Sequence, residues 1–255
     1  MATERSGSAD RTDPSPASLS IDVVLPALDE ERSLPLVLGD LPRDRIRRIV
    51  VADNGSADRT AEVARELGAE VVPAARRGYG SACLAGLGHL RDTGAPDIVV
   101  FLDADYSDHP DELGQVVAPI LSGEADLVIG SRLLGRREPG ALLPQARVGN
   151  VIACTLIRCL YGHRYTDLGP FRAIRWSALE RLDMRDPDFG WTAEMQVKAV
   201  RLSLRVVEVP VSYRRRVGVS KITGTVRGSV LAGIKILTTV ARYARAPIGR
   251  PSRDG

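Results

Sequence analysis

Short runs of Val and Ile alternate with amphipathic stretches through the first half of this 255-residue chain. The runs IDVVLPA (21–27), IRRIVVAD (46–53), AEVVPA (69–74), DIVVFLD (97–103) and ADLVIGS (125–131) each end in a turn residue or an acid, and they predict buried strands. Between them SLPLVLGDL, ADRTAEVARELG, SACLAGLGHLRDTG and PDELGQVVAPILSG repeat apolar residues at helical spacing. Continuous apolar strands separated by amphipathic helices predict an α/β fold, a mostly parallel sheet covered by helices on both faces. Ligands of such sheets bind beyond the carboxyl ends of the strands, where Asp53 and Asp103 fall. After residue 131 the alternation stops. LLGRREPGALLP reads as a loop, RVGNVIACTLIRCLYG and TAEMQVKAVRLS as helices, GPFRAIR and VVEVPVSYR as strands, and VRGSVLAGIKILTTVARYA as a final amphipathic segment. The expected organisation is a disordered leader over 1–20, one domain over 21–223, a C-terminal amphipathic helix over 224–245 and a disordered tail over 246–255.

The stretch VVFLDADYSDHP (99–110) runs from four apolar residues straight into Asp103, Asp105 and Asp108. Buried carboxylates are costly unless hydrogen-bonded, paired or bound to a metal, so the strand ends either in an ordinary polar turn or in acids that hold a cation. Paired aspartates at a strand end suit Mg²⁺ or Mn²⁺, which take one or two carboxylates plus substrate phosphates. An Asp-x-Asp triplet alone is common, and its place at the carboxyl end of the fourth strand is what raises its weight.

Composition, 44% hydrophobic and 26% charged, is that of an ordinary globular protein. The first twenty residues lack the apolar core of a signal peptide, so a cytoplasmic location is expected. No run of about 18 uninterrupted apolar residues predicts a bilayer span. Cys83, Cys154 and Cys159 lack metal-type spacing and read as reduced thiols. Net charge is +3, yet residues 201–255 hold twelve Lys or Arg against two acids, which leaves the rest of the chain at −7. That asymmetry predicts a basic face that meets phosphates. Few aromatics interleave the basic segment, and a nucleic-acid partner is not expected.

In a series of ordered motifs between residue 21 and about 223, the sequence resembles the family 2 glycosyltransferases of GT-A fold, in the branch of dolichyl-phosphate mannose synthases and other polyprenyl-phosphate glycosyltransferases. VVLPALDEE looks like the family's first strand and nucleotide-binding turn, which implies nucleotide contacts at Pro26, Ala27 and Glu30. VVADNGSADRT is similar to the Asp-Asp-Gly-Ser signature, with Asp53 as partner of the base and Asn54 in place of the second acid. ARRGYGSACLAG resembles the Gly-x-Gly segment beside the nucleotide and implies a contact at Gly78. DADYSDHP matches the Asp-x-Asp loop, so Asp103, Ala104 and Asp105 would lie against the ribose and pyrophosphate, with Asp103 and Asp105 as ligands of Mg²⁺ or Mn²⁺. Ser107 and Asp108 stand where relatives often carry a Gln, leaving the third ligand open.

GSRLLG and DLGPFRAIR resemble elements that present Arg132 and Arg172 to the reaction centre, and RRRVGVSK resembles a basic loop that implies Arg215, Arg216, Ser220 and Lys221 as acceptor-phosphate contacts. Any one of these arginines also fits a structural ion pair. The resemblance implies an inverting displacement at the anomeric carbon, from GDP-mannose or UDP-glucose to a polyprenyl or dolichyl phosphate, with Asp105, Arg132, Arg172 and Glu194 at the centre. Hydroxyl-acceptor relatives commonly carry a Glu-Asp pair where this chain has Glu194-Met195, which tilts the expectation to phosphate. The alternatives are a soluble hydroxyl acceptor with Glu194 as base, or a non-catalytic nucleotide-sugar-binding subunit. Within 225–243, Val226, Val230, Ile234, Leu237 and Ala241 form a stripe with Arg227, Lys235 and Arg242 beside it, as in a helix lying at a membrane surface or packed on its own domain. Residues 147–161 offer a second apolar helix.

Overall fold

The computed structural model describes residues 19–218 and 226–245, the side chains of 226–232 and of Arg245 excepted. Seven strands form one sheet in the order β3-β2-β1-β4-β6-β5-β7. β1 (Ile21–Ala27), β2 (Arg48–Asp53), β3 (Glu70–Pro73) and β4 (Ile98–Phe101) are parallel, as are β5 (Leu127–Ser131) and β7 (Val206–Pro210). β6 (Arg172–Arg175) runs antiparallel between β4 and β5. The expected mostly parallel α/β sheet is what forms.

The inner strands β1, β2, β4, β5 and β6 bury both faces because helices cover both, while the edge strands β3 and β7 are half-buried. In β4, Val99 and Phe101 enter one core and Ile98 and Val100 the other, as alternate side chains of a strand must. The first core is closed by α3 (Tyr79–Thr93), α5 (Pro144–Tyr161), α6 (Trp176–Leu182), α7 (Trp191–Arg201) and α8 (Val226–Arg245). The second is closed by α1 (Leu34–Asp40), α2 (Thr60–Glu66) and α4 (Leu113–Leu121). α6 escapes the sequence reading because it is seven residues long and directly follows a strand.

The chain lays β2 and β3 on one side of β1 and then crosses back to place β4 on the other. This reversal opens a crevice at the carboxyl ends of β1 and β4, the usual ligand position in such sheets.

The C-terminal helix is part of the domain. α8 packs on α5 and α7. Val240 and Thr239 are buried. The Tyr161 hydroxyl donates to the Val240 carbonyl at 2.6 Å, and Arg201 donates to the Tyr243 carbonyl at 2.7 Å. Ile234 and Ala241 of the expected lipid-facing stripe are exposed while Leu237 packs inward, so the stripe is not one continuous face. Lys235 pairs with the buried Asp186 at 3.3 Å rather than reaching outward, because a buried carboxylate needs a counter-charge. Val226, Arg227 and Val230 lie outside the described side chains. Among the described residues no helix is long and apolar enough to cross a membrane.

Candidate active site

Three loops at the carboxyl ends of β2, β1 and β4 frame a cleft of about 230 Å³. β1 supplies Pro26 and Ala27, and the following turn supplies Glu30. Asp29 holds that turn in the left-handed region at φ 52°. Its carboxylate accepts from the Ala57 N–H at 2.7 Å, and the Thr60 hydroxyl accepts from the Glu30 N–H at 2.7 Å. The first two loops are thereby fastened to each other. Asp53 accepts from both the backbone and hydroxyl of Ser56, at 3.1 and 2.5 Å, and folds its own loop. The residue of this loop that lines the cleft is its neighbour Asn54, whose Oδ1 accepts from the Gly78 N–H at 3.1 Å.

The third loop carries Asp103, Ala104 and Asp105 into the cleft. Asp105 accepts from the Ser107 N–H at 2.8 Å and the Ser107 hydroxyl at 2.5 Å, closing a tight aspartate turn. Tyr106 takes φ 64° at its crest, held by a 2.6 Å hydrogen bond from its hydroxyl to Asp40 and by the Arg214 guanidinium 3.5 Å from its ring. The three acids are unequally satisfied. Asp103 Oδ1 and Asp108 Oδ1 are buried without a hydrogen-bond partner. Burial, and then the charge of Asp105, push the Asp103 carboxyl up to about 7 against the opposing pull of Arg216. Burial beside Asp103 and Asp105 likewise raises Asp108.

Such a site fits a cation. Asp103 keeps one oxygen without a hydrogen-bond partner and is opposed by the charge of Asp105, a repulsion that Mg²⁺ or Mn²⁺ between them would relieve. Among the described residues no group of three or more Asp, Glu, His or Cys forms a full metal shell. Asp103 and Asp105 would therefore share the ion with phosphates of a bound donor.

Cations reach this turn from the segment after β7. Arg216 lines the cleft and its guanidinium pairs with Asp105 Oδ2. The Val217 N–H donates to the Asp105 carbonyl at 3.0 Å, and the Arg214 N–H to the Ser107 carbonyl at 2.9 Å. The basic segment thus lies directly on the aspartate turn. Arg132, Arg172 and Arg215, the other candidate arginines, do not line the cleft, although the charge of Arg132 still reaches Asp103 and Asp108. Arg215 is exposed and donates to the Pro139 carbonyl at 2.8 Å, bracing the 138–140 loop. Arg132 forms a two-pronged pair with buried Asp167 at 2.8 and 2.7 Å and stacks on Tyr213. Arg172 is fully buried behind the cleft, donates to the carbonyls of Leu168, Gly169 and Thr192, and is lowered from the usual guanidinium range by burial. Ser220 and Lys221 lie outside the described residues.

Glu194 is also away from the cleft. Its carboxylate is fully buried and accepts from the Asp186 N–H at 2.7 Å, from the Arg185 N–H and from the Tyr243 hydroxyl, with Lys198 Nζ at 2.7 Å. Glu194, expected at the reaction centre, is thus not among the residues that line the cleft, and its carboxylate is engaged by the 183–190 segment, which it shapes. That segment delivers Phe189 to the cleft, where Arg77 and Tyr79 also lie. Nothing local in the sequence marks Phe189. Tyr79 sits inside the Gly78-Tyr79-Gly80 motif, whose glycines have a clear reason: a Cβ on Gly78 would come within 2.2 Å of the Pro187 carbonyl, and one on Gly80 within 2.0 Å of the Asp186 carbonyl.

Residues 22–183 match glycosyl transferase family 2. The chain belongs to that family. An uncharacterized glycosyltransferase of Mycobacterium tuberculosis is 42% identical over 217 residues, 84% of this chain and 94% of its own. The undecaprenyl-phosphate mannosyltransferase of Micrococcus luteus is 31% identical over 245 residues, 89% of this chain and 98% of its own. In three dimensions this family 2 glycosyltransferase resembles glucosyl-3-phosphoglycerate synthase from Mycobacterium tuberculosis, solved with Mn²⁺, UDP-glucose and phosphoglyceric acid. The TM-score is 0.71 at 25% identity, covering 91% of this chain and 82% of that one. The GT-A architecture and the glycosyltransferase class follow.

Proposed function

We propose that this glycosyltransferase moves a hexose, with inversion, from a nucleotide sugar such as GDP-mannose or UDP-glucose to the phosphate of a polyprenyl lipid. The observation that carries the reading is Arg216, which sits in the cleft against Asp105 and so brings the basic segment to the carboxylates that would face the donor. Pro26, Ala27, Glu30, Asn54 and Gly78 would seat the nucleotide. A divalent cation held by Asp103 and Asp105 would supply charge neutralisation on the departing diphosphate. An acceptor phosphate oxygen attacks the anomeric carbon, the bond to the diphosphate oxygen breaks, and no proton has to be removed. Arg216 holds the acceptor by charge and geometry. The burial of Glu194 away from the cleft supports a phosphate acceptor over a hydroxyl, which would need a carboxylate base within reach. The Micrococcus relative, by its name, acts on a lipid phosphate.

A soluble phosphate-bearing acceptor is the second reading, favoured by the phosphoglyceric acid bound to the structural neighbour. Release of nucleoside diphosphate, measured with polyprenyl phosphate, unphosphorylated polyprenol, 3-phosphoglycerate or no acceptor, separates the two. Polyprenyl phosphate alone should accelerate release. Acceleration by 3-phosphoglycerate alone would establish the soluble acceptor, and acceleration by polyprenol a hydroxyl acceptor.

The reading includes a peripheral position on the inner face of the cell membrane. α5 exposes Val148, Val151, Ile152 and Leu160 beside Arg147 and Arg158, and neither α5 nor α8 contains an acid. Apolar residues ringed by arginine suit an anionic lipid surface. The whole chain should float with anionic liposomes, less so at high salt, and Val151→Asp/Ile152→Asp should abolish flotation. Flotation unchanged in that variant would exclude α5 as the contact.

A further inference from the structure

We infer that α8 is a strut that sets the far wall of the cleft, acting through two buried carboxylates, and that Lys235, Thr239 and Tyr243 are positioning residues for the donor site. The connection is continuous. Lys235 Nζ lies 3.3 Å from Asp186 Oδ2, and the Thr239 hydroxyl donates to the same oxygen at 3.3 Å. The Tyr243 hydroxyl donates to Glu194, which in turn accepts the backbone N–H groups of Arg185 and Asp186. Asp186 also accepts from the Asp188 N–H at 2.8 Å. Every one of these contacts falls on the 183–190 segment or on the carboxylate that shapes it.

The segment spends its own carbonyls on the start of α3. The Pro187 carbonyl accepts from the Ser81 N–H at 2.8 Å, and the Asp188 carbonyl from the Gly80 N–H at 3.3 Å. These are first-turn amides that a helix cannot satisfy internally. Packing is tight enough to transmit movement. A Cβ on Gly190 would stand 2.3 Å from Asp186 Oδ2 and 2.4 Å from the Thr239 hydroxyl, and Gly78 and Gly80 abut the Asp186–Pro187 backbone. Phe189, one residue beyond the carbonyls, lines the cleft. Removing Lys235 or Tyr243 leaves a buried carboxylate short of a partner, which favours rearrangement of the segment and, with it, of Phe189 and the α3 amides.

The assignment of the cleft to a nucleotide rests on the function proposed above; the coupling itself does not, and hydrogen exchange tests it without any ligand. In the full chain, Lys235→Met and Tyr243→Phe should each speed exchange of the Gly80 and Ser81 amides by roughly tenfold, while Val99–Phe101 in β4 keep wild-type protection. Lys235→Arg should restore slow exchange. In calorimetry both variants should weaken UDP or GDP binding several-fold in the presence of Mn²⁺. Wild-type exchange at Gly80 and Ser81 in both variants, or equal loss of protection in β4, would overturn the strut. Faster exchange with no nucleotide binding even in the wild type would uphold the strut and reject the proposed donor.

Discussion

Asp103→Asn is expected to raise the melting temperature of the metal-free protein at pH 8, and Asp105→Ala to lower it, while both abolish Mn²⁺-dependent nucleotide binding. Asp103 stands in the folded chain with its carboxyl raised to about 7 by burial and by Asp105, against a value of about 3.9 in an unfolded chain. A carboxyl raised on folding contributes stability that is present below its unfolded value and lost as pH rises through 7. At pH 8 the ionised side chain therefore opposes folding by an amount on the order of a few kcal/mol, which asparagine removes. At roughly 2–4 °C per kcal/mol for a domain of this size, the gain should be several degrees at pH 8 and close to nothing at pH 4. Asp105 is the opposite case, since its carboxylate closes the turn through Ser107 and pairs with Arg216. Thermal unfolding from pH 4 to 8 with and without Mn²⁺ checks both. A melting temperature of Asp103→Asn equal to the wild type at every pH would show that Asp103 is not strained, and Mn²⁺-dependent binding retained by Asp105→Ala would remove Asp105 from the metal.

Arg216→Gln should reduce transfer to polyprenyl phosphate by roughly 10²–10³-fold, the usual consequence of deleting one donor aimed at transferring charge, and leave Mn²⁺-dependent nucleotide binding intact or tighter. The reason is competition. Arg216 occupies one oxygen of Asp105, so its removal returns that oxygen to the cation, while the acceptor phosphate loses a guanidinium. Calorimetry with nucleotide and Mn²⁺, beside turnover with and without acceptor, separates the two effects. Nucleotide binding lost in parallel with transfer would mean that Arg216 serves the donor's diphosphate instead.

The sequence by itself determined the sheet, its helical layers and the loops that carry chemistry, because continuous Val/Ile runs and helical apolar spacing are local consequences of burial on two faces and on one. The acid-ended fourth strand brought Asp103 and Asp105 to notice, and the resemblance to family motifs brought Pro26, Ala27, Glu30, Gly78 and Ala104; all of them line the cleft. Tertiary structure alone decided which charged residues meet. Arg132, Arg172, Arg215 and Arg216 are alike in sequence, yet one is satisfied by Asp167, one by buried carbonyls, one by a surface loop, and only Arg216 lies in the cleft. Glu194 was expected at the centre by resemblance to relatives with a Glu-Asp pair, and no local pattern tells that Tyr243, 49 residues on, closes over it. Phe189 enters the cleft through the same long-range packing. Periodicity reports which face of an element is buried; which partner from a distant element satisfies a buried charge depends on packing that no local pattern encodes.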